Sequence, residues 1–198
     1  MNAGLQIDDA FIRTWEPRFD EPAIGGEYEK QYPRLVEAVA LEIESHGTLS
    51  EQLFRRIWNW KGAMRVIRHI RMDEYETLYA PAFRRAVLEP PERKLLALLS
   101  DRQKLPGVGA PTGSTILHFI HPGTMPIIDV RTVGTLHKAG RIRTKMRDLA
   151  HYEEFRGAID KIRRECPNRT LREIDKALFA YHKVVLTPAT TKLCRRHA

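Results

Sequence analysis

An all-α fold is the expectation, and three observations produce it. Apolar residues recur at helical spacing in Leu35, Val36, Val39 and Ile43, in Tyr152, Phe155, Ile159 and Ile162, and in Leu171, Ile174, Leu178 and Tyr181, the period at which one face of a helix meets a core. Helix starts carry their own chemistry: Thr48 with Glu51 and Thr170 with Glu173 fit the Ser/Thr-x-x-Glu capping box, and Pro90-Pro91 suits entry to a helix over 92–102. No period-two run is bounded by hairpin turns, and the stretch from Pro126 to Val130 is short and leads into more helical spacing.

In chain order, the first 26 residues are punctuated by Pro17, Pro22, Gly25 and Gly26 and read as a peripheral arm. The helix through Leu35 comes next, then one from Thr48 that carries Trp58 and Trp60. A glycine turn separates the helix over 92–102 from another over 112–120, and a short helix through Arg131 to His137 precedes the last two long ones. From Thr187 onward the chain is polar and basic, a second arm. With 198 residues, 42% of them apolar and 29% charged, the chain has enough material for a hydrophobic core, in one domain or two small lobes.

Composition narrows the function classes. No apolar run approaches the roughly 20 residues that cross a bilayer, and Met1 to Asp9 lacks a basic region followed by an apolar one, so neither membrane insertion nor secretion is expected. Two cysteines, Cys166 and Cys194, cannot supply a four-thiolate metal site and read as reduced thiols in a cytoplasm. Lys plus Arg is 33 against 25 for Asp plus Glu, a net charge of +8, which favours an anionic partner. Two stretches concentrate that charge without any acid: Gln52 to Met72, with Arg65, Arg68 and Arg71 among its cations, and Val130 to Arg147, with Arg131, Lys138, Arg141, Arg143 and Lys145. Each is either a solvated basic face or a contact for phosphates. No Walker loop, zinc-protease motif or nucleophile elbow is present.

The informative segment runs from Lys104 to Gly134. Leu105-Pro106-Gly107-Val108-Gly109 is a tight turn before the helix that contains Thr112. Glycines there let backbone approach a ligand without a Cβ, and amides opening the next helix can meet a phosphate oxygen. Taken whole, the segment resembles the helix-hairpin-helix DNA glycosylase superfamily, which includes endonuclease III and the adenine glycosylases. The family hairpin, Leu-Pro-Gly-Val-Gly-x-x-Thr-Ala, is matched by Leu105, Gly107, Val108, Gly109 and Thr112, and the family aspartate, eighteen residues past the residue before the Thr, falls on Asp129. Pro126-Ile127-Ile128-Asp129 is similar to the approach in the adenine-excising branch. The resemblance covers about thirty residues.

The departures from the family matter as much. Strand-cleaving branches place a Lys before the hairpin Thr, and Pro111 stands there, with no free amine to attack the sugar. The cluster-binding cysteines of endonuclease III are absent, Gly113 replaces the common Ala, and Gly134 stands where an Arg is usual. Arg131 is the candidate substitute.

The resemblance implies an all-α, two-lobe helix-hairpin-helix glycosylase-like fold, with a central lobe over 26–121 and a second lobe built from 1–25 plus 122–198. It implies a monomer that binds double-stranded DNA across the cleft, and monofunctional hydrolysis of the N-glycosidic bond of a flipped modified or mispaired base, with no cofactor and no catalytic metal. Breaking that bond builds positive charge on the sugar, which a carboxylate can stabilise. Asp129 is the candidate; its other role is an N-cap, and the two are compatible. A flipped base needs aromatic walls, for which Trp58 and Trp60 are candidates, with His118 and His121 as polar groups nearby. Two Trp spaced by two residues cannot share a helix face, so one of them is expected outside the core. Lys104, Arg131, Arg141, Arg143 and Lys145 are the expected backbone contacts. Three alternatives remain open: an antiphage glycosylase for hypermodified bases, a helix-hairpin-helix DNA-binding protein without catalysis and, more remotely, an RNA-binding protein.

Overall fold

A computed structural model describes residues 4–62, 69–99 and 105–187, with backbone only at 27 and 28. Among these residues all regular structure is helical. Lys104, Arg65, Arg68 and Cys194 lie outside them. No helix is long and apolar enough to cross a membrane.

The chain begins with α1 (Asp9–Trp15), capped by Asp8, whose side chain accepts from the Phe11 amide at 2.8 Å. This segment is not the loose arm that its prolines suggest. Phe11 and Ile12 are buried, and α1 packs along α10 (Leu171–Tyr181) near the other end of the chain. Ion pairs tie the contact: Arg169 Nε lies 2.7 Å from Asp9, and Lys176 Nζ 2.6 Å from Glu16. A short 3₁₀ turn (Pro17–Asp20) and α2 (Gly26–Glu29) come next.

The middle of the chain is a layer of helices around α7 (Ala110–Ile120), whose residues are almost all buried. Packed on α7 are α3 (Tyr32–His46), α4 (Glu51–Lys61) and α6 (Pro91–Leu99), and α5 (Ala80–Leu88) pairs with α6. The cap of α4 differs from the expected box. Ser50 is the N-cap, accepting from the Leu53 amide at 3.3 Å, while Thr48 Oγ1 donates to Ala80 O at 2.9 Å. The Thr170–Glu173 box is present on α10, with both reciprocal bonds made.

After Pro122 come α8 (Val130–Lys138) and α9 (Leu149–Glu165), which with α10 and α1 make the second group of packed helices. One contiguous buried cluster runs through both groups, from Ile7 to Leu178. Close approach accounts for the glycine at position 134: a Cβ on Gly134 would stand 2.4 Å from the His182 ring, so α8 can pack on the π-helical turn His182–Leu186 only if that position has no side chain.

Candidate functional site

The glycine turn is a built hairpin. Gly107 has φ +78°, a conformation that other residues adopt only under strain, and the Val108 amide closes the turn on Leu105 O at 3.0 Å. Leu105 and Val108 are buried beneath it, and Tyr79 Oη anchors it by donating to Pro106 O at 2.7 Å. Exposed Gly109 is the N-cap of α7, its carbonyl accepting from the amides of Thr112 (3.1 Å) and Gly113 (2.7 Å).

The helix that starts at this hairpin also positions the aspartate. Ser114 Oγ accepts from the Ile128 amide at 3.1 Å, and His118 Nδ1 meets Met125 O at 2.8 Å, so α7 grips the segment leading to Asp129 at both ends. Tyr152 Oη adds a third hold on Pro126 O at 2.9 Å. Asp129 then caps α8: Oδ1 accepts from the Arg131 amide at 2.8 Å, and the Asp129 amide donates to Thr132 Oγ1 at 3.1 Å. Its carboxylate stays about one quarter exposed. The hairpin and the carboxylate are thus mechanically linked through one rigid helix.

Asp129 opens onto a cavity of about 290 Å³ where three parts of the chain meet. The end of α4 contributes Trp60 and Lys61, α10 contributes Arg172, Asp175 and Phe179, and the N-terminal segment contributes Phe19 and Ile24. Phe19 and Phe179 meet edge to face at 5.1 Å, and the Arg131 guanidinium lies 4.5 Å above Phe179. The lining therefore combines aromatic rings with ionic groups. Arg172 is buried and shared between Glu29 and Asp175. Burial pushes the Asp175 carboxyl up to about 6, with the Asp129 charge adding to the shift and Arg172 opposing it. Burial also lowers the Lys61 ammonium, against the attraction of Asp129 and Asp175. Trp60 Nε1 is buried with no hydrogen-bond partner among the described residues.

The structure brings only some of the expected site residues together. Asp129, Arg131 and Trp60 share the cavity. Trp58 does not: it is 1% exposed and packs against Phe54 in the core. Both tryptophans are in fact buried, because α4 is covered on two faces, by the core and by the cavity wall. His118 is a structural residue held between Met125 O and Tyr32 Oη (2.7 Å), and His121 is half-buried; neither lines the cavity. Of the expected phosphate contacts, Arg141 forks onto Glu165 (3.0 and 2.8 Å) and Arg143 pairs with Glu154 at 3.1 Å, so both charges are already matched within the protein. Lys145 is exposed.

The chain matches no family model, no curated protein and no solved structure. The site must therefore be read from its own geometry. Sequence reading counted Lys61 only among the cations of the basic stretch from Gln52 to Met72, and missed Asp175, Phe19 and Phe179. A signal for two of them exists, since Arg172, Asp175 and Phe179 lie at i, i+3 and i+7 and share one face of α10.

Proposed function

We propose that this chain is a monofunctional DNA glycosylase that hydrolyses the N-glycosidic bond of a flipped modified or mispaired base. The observation that carries the reading is Asp129, held rigidly at a helix start on the wall of an aromatic cavity of about 290 Å³. A flipped base needs stacking walls, which Phe19, Phe179 and Trp60 supply. Its departure leaves a cationic sugar, and a preorganised carboxylate stabilises that charge and orients the attacking water. The amides of Gly109 and Ala110, at the N-terminus of α7, suit a DNA phosphate and would set the register of the duplex. The carboxylates lining the cavity favour catalysis over a bare DNA-binding module, which needs no such chamber.

The test is incubation with duplexes that carry a panel of damaged and hypermodified bases, with alkali added afterwards. Abasic sites that break only on alkali treatment, and vanish in Asp129→Asn, are expected. Release of no base from any duplex would overturn the reading. Strand breaks before alkali, with borohydride trapping, would assign the sugar to a cavity amine, Lys61 or Lys183, and overturn its monofunctional part.

A further inference from the structure

We propose that Lys61 recognises the base in this cavity by donating to a carbonyl oxygen on its edge, and that the preferred substrates are bases with such a carbonyl rather than adenine-type bases that have none. The inference rests on the base-excision reading and names the chemistry of the base within it.

The rings of Phe19, Phe179 and Trp60 can stack on the faces of any base, so its edge must be read by polar groups. Charged side chains lining the cavity offer six such groups, and five of them have partners within the protein. Arg172 pairs with Glu29 and Asp175. Lys183 Nζ donates to Ile24 O at 2.8 Å. Arg131 lies over Phe179 with Nη1 4.0 Å from Asp129, whose Oδ1 accepts from the Arg131 amide. Lys61 is the sixth. Helix α4 ends on it, with Gly62 in the left-handed conformation as C-cap. Its ammonium makes no hydrogen bond and no ion pair among the described residues; Asp129 and Asp175 attract it, and Arg172 repels it, from beyond contact distance. The dipole of α4 favours a cation in its last turn, which accounts for a lysine here but not for one that faces a cavity.

The N–H donors of a partly buried ammonium are costly to leave unmet, and an acceptor that enters with the base would satisfy at least one of them. The charge of the lining says which acceptor fits. Lys61, Arg131, Arg172 and Lys183 stand against Asp129 and Asp175, four cations to two anions, and Glu29 holds Arg172 from outside the lining. That surplus suits an electron-rich carbonyl oxygen and repels a cationic alkylated base. A ring carbonyl accepts and cannot donate, whereas an ammonium donates and cannot accept. An amino group in the same place, as in adenine, would set donor against donor.

The test uses the panel of the excision assay, sorted into bases with a ring carbonyl, such as hypoxanthine and uracil, and bases without one, ethenoadenine and N3-methyladenine. Each single-turnover rate is divided by the uncatalysed loss of the same base. The wild type should prefer the first class by about thirtyfold or more, and Lys61→Met, which keeps the stem and loses the donors, should narrow that ratio to about threefold. A second readout needs no turnover. A 2′-fluorinated sugar keeps its base attached, because fluorine disfavours the sugar cation, so affinity for such duplexes can be measured by fluorescence anisotropy. Wild-type protein should favour hypoxanthine over ethenoadenine there by about tenfold, and Lys61→Met should not. Lys61→Ala repeats both measurements, and an unchanged melting temperature identifies the folded variants. A wild type that releases both classes equally, or a folded variant that keeps either ratio, overturns the recognition role of Lys61 while base excision stands. Borohydride trapping that is lost in Lys61→Met would make the amine a nucleophile and overturn that role as well. Release of no base from the panel is the failure of the excision reading itself, and the role of Lys61 falls with it.

Discussion

Asp129→Asn separates chemistry from architecture at a single residue. Asparagine is as good an N-cap as aspartate, so the bond from the Arg131 amide survives and the melting temperature should move little. The charge does not survive, so base release should fall more than tenfold while DNA affinity stays within several-fold; a rate above a tenth of the parent would leave Asp129 as a cap alone. His118 makes a different claim. Met125 O can only accept, so Nδ1 carries the proton and Nε2 accepts from Tyr32 Oη. Burial holds this imidazole down at about 4, against about 6.5 when unfolded. Between those values the unfolded chain binds the extra proton, so stability should fall as pH drops from about 6.5 toward 4, by about 1.4 kcal/mol per pH unit from this residue. Urea unfolding across that window should show a slope shallower by about that amount in His118→Gln; an unchanged slope would mean that the ring is not protonated only on unfolding.

The hairpin and the helix it opens are the element where sequence and structure agree most closely, and they show how to test the loop cleanly. Gly107→Ala would force a side chain into φ +78° and place a Cβ 2.8 Å from Ile70, so it should cost about 1 kcal/mol or more of stability in a thermal melt. Gly109→Ala meets only Pro111 Cδ at 3.9 Å and should fold normally. Loss of DNA affinity of at least threefold in Gly109→Ala, by fluorescence anisotropy, would then come from the phosphate contact rather than from misfolding; unchanged binding would reduce the loop to a connection. The turn was legible because its chemistry is local: five consecutive residues fix it. Asp129 was singled out by the family resemblance, through its spacing of eighteen from Pro111, and the fold places it as the cap of α8 on the cavity wall. The cavity was not, since Phe19, Lys61, Asp129 and Asp175 meet only through packing of segments distant in the chain. The Thr48 box failed for a related reason: Ser50 was equally able to cap, and the tertiary bond from Thr48 to Ala80 O decided between them.

At the scale of the whole molecule, the proposed binding to DNA would draw on some of the 33 basic residues. Neutralising Z phosphates releases condensed counterions, so log affinity falls with log salt at a slope of about −0.9Z. Charge counted along the sequence treats Arg141, Arg143 and Lys145 alike, but the fold does not. Arg141 and Arg143 are matched to Glu165 and Glu154, so docking on phosphate would strand two carboxylates beside the backbone. Lys138, Lys145 and Arg147 are exposed on the same stretch, and no ion pair holds them among the described residues. Replacing these three together by Ala should flatten the salt slope by about two to three, whatever the base, because phosphate contacts carry no sequence information. The double variant Arg141→Ala with Arg143→Ala should flatten it by less than one, since each change removes a cation and frees an anion. If the double variant flattens the slope as much as the triple, the glutamates yield to phosphate and the pairs are latches that DNA opens. If neither variant moves it, the duplex lies against another face, and the hairpin and Asp129, linked through α7, do not meet DNA from the side of this basic stretch.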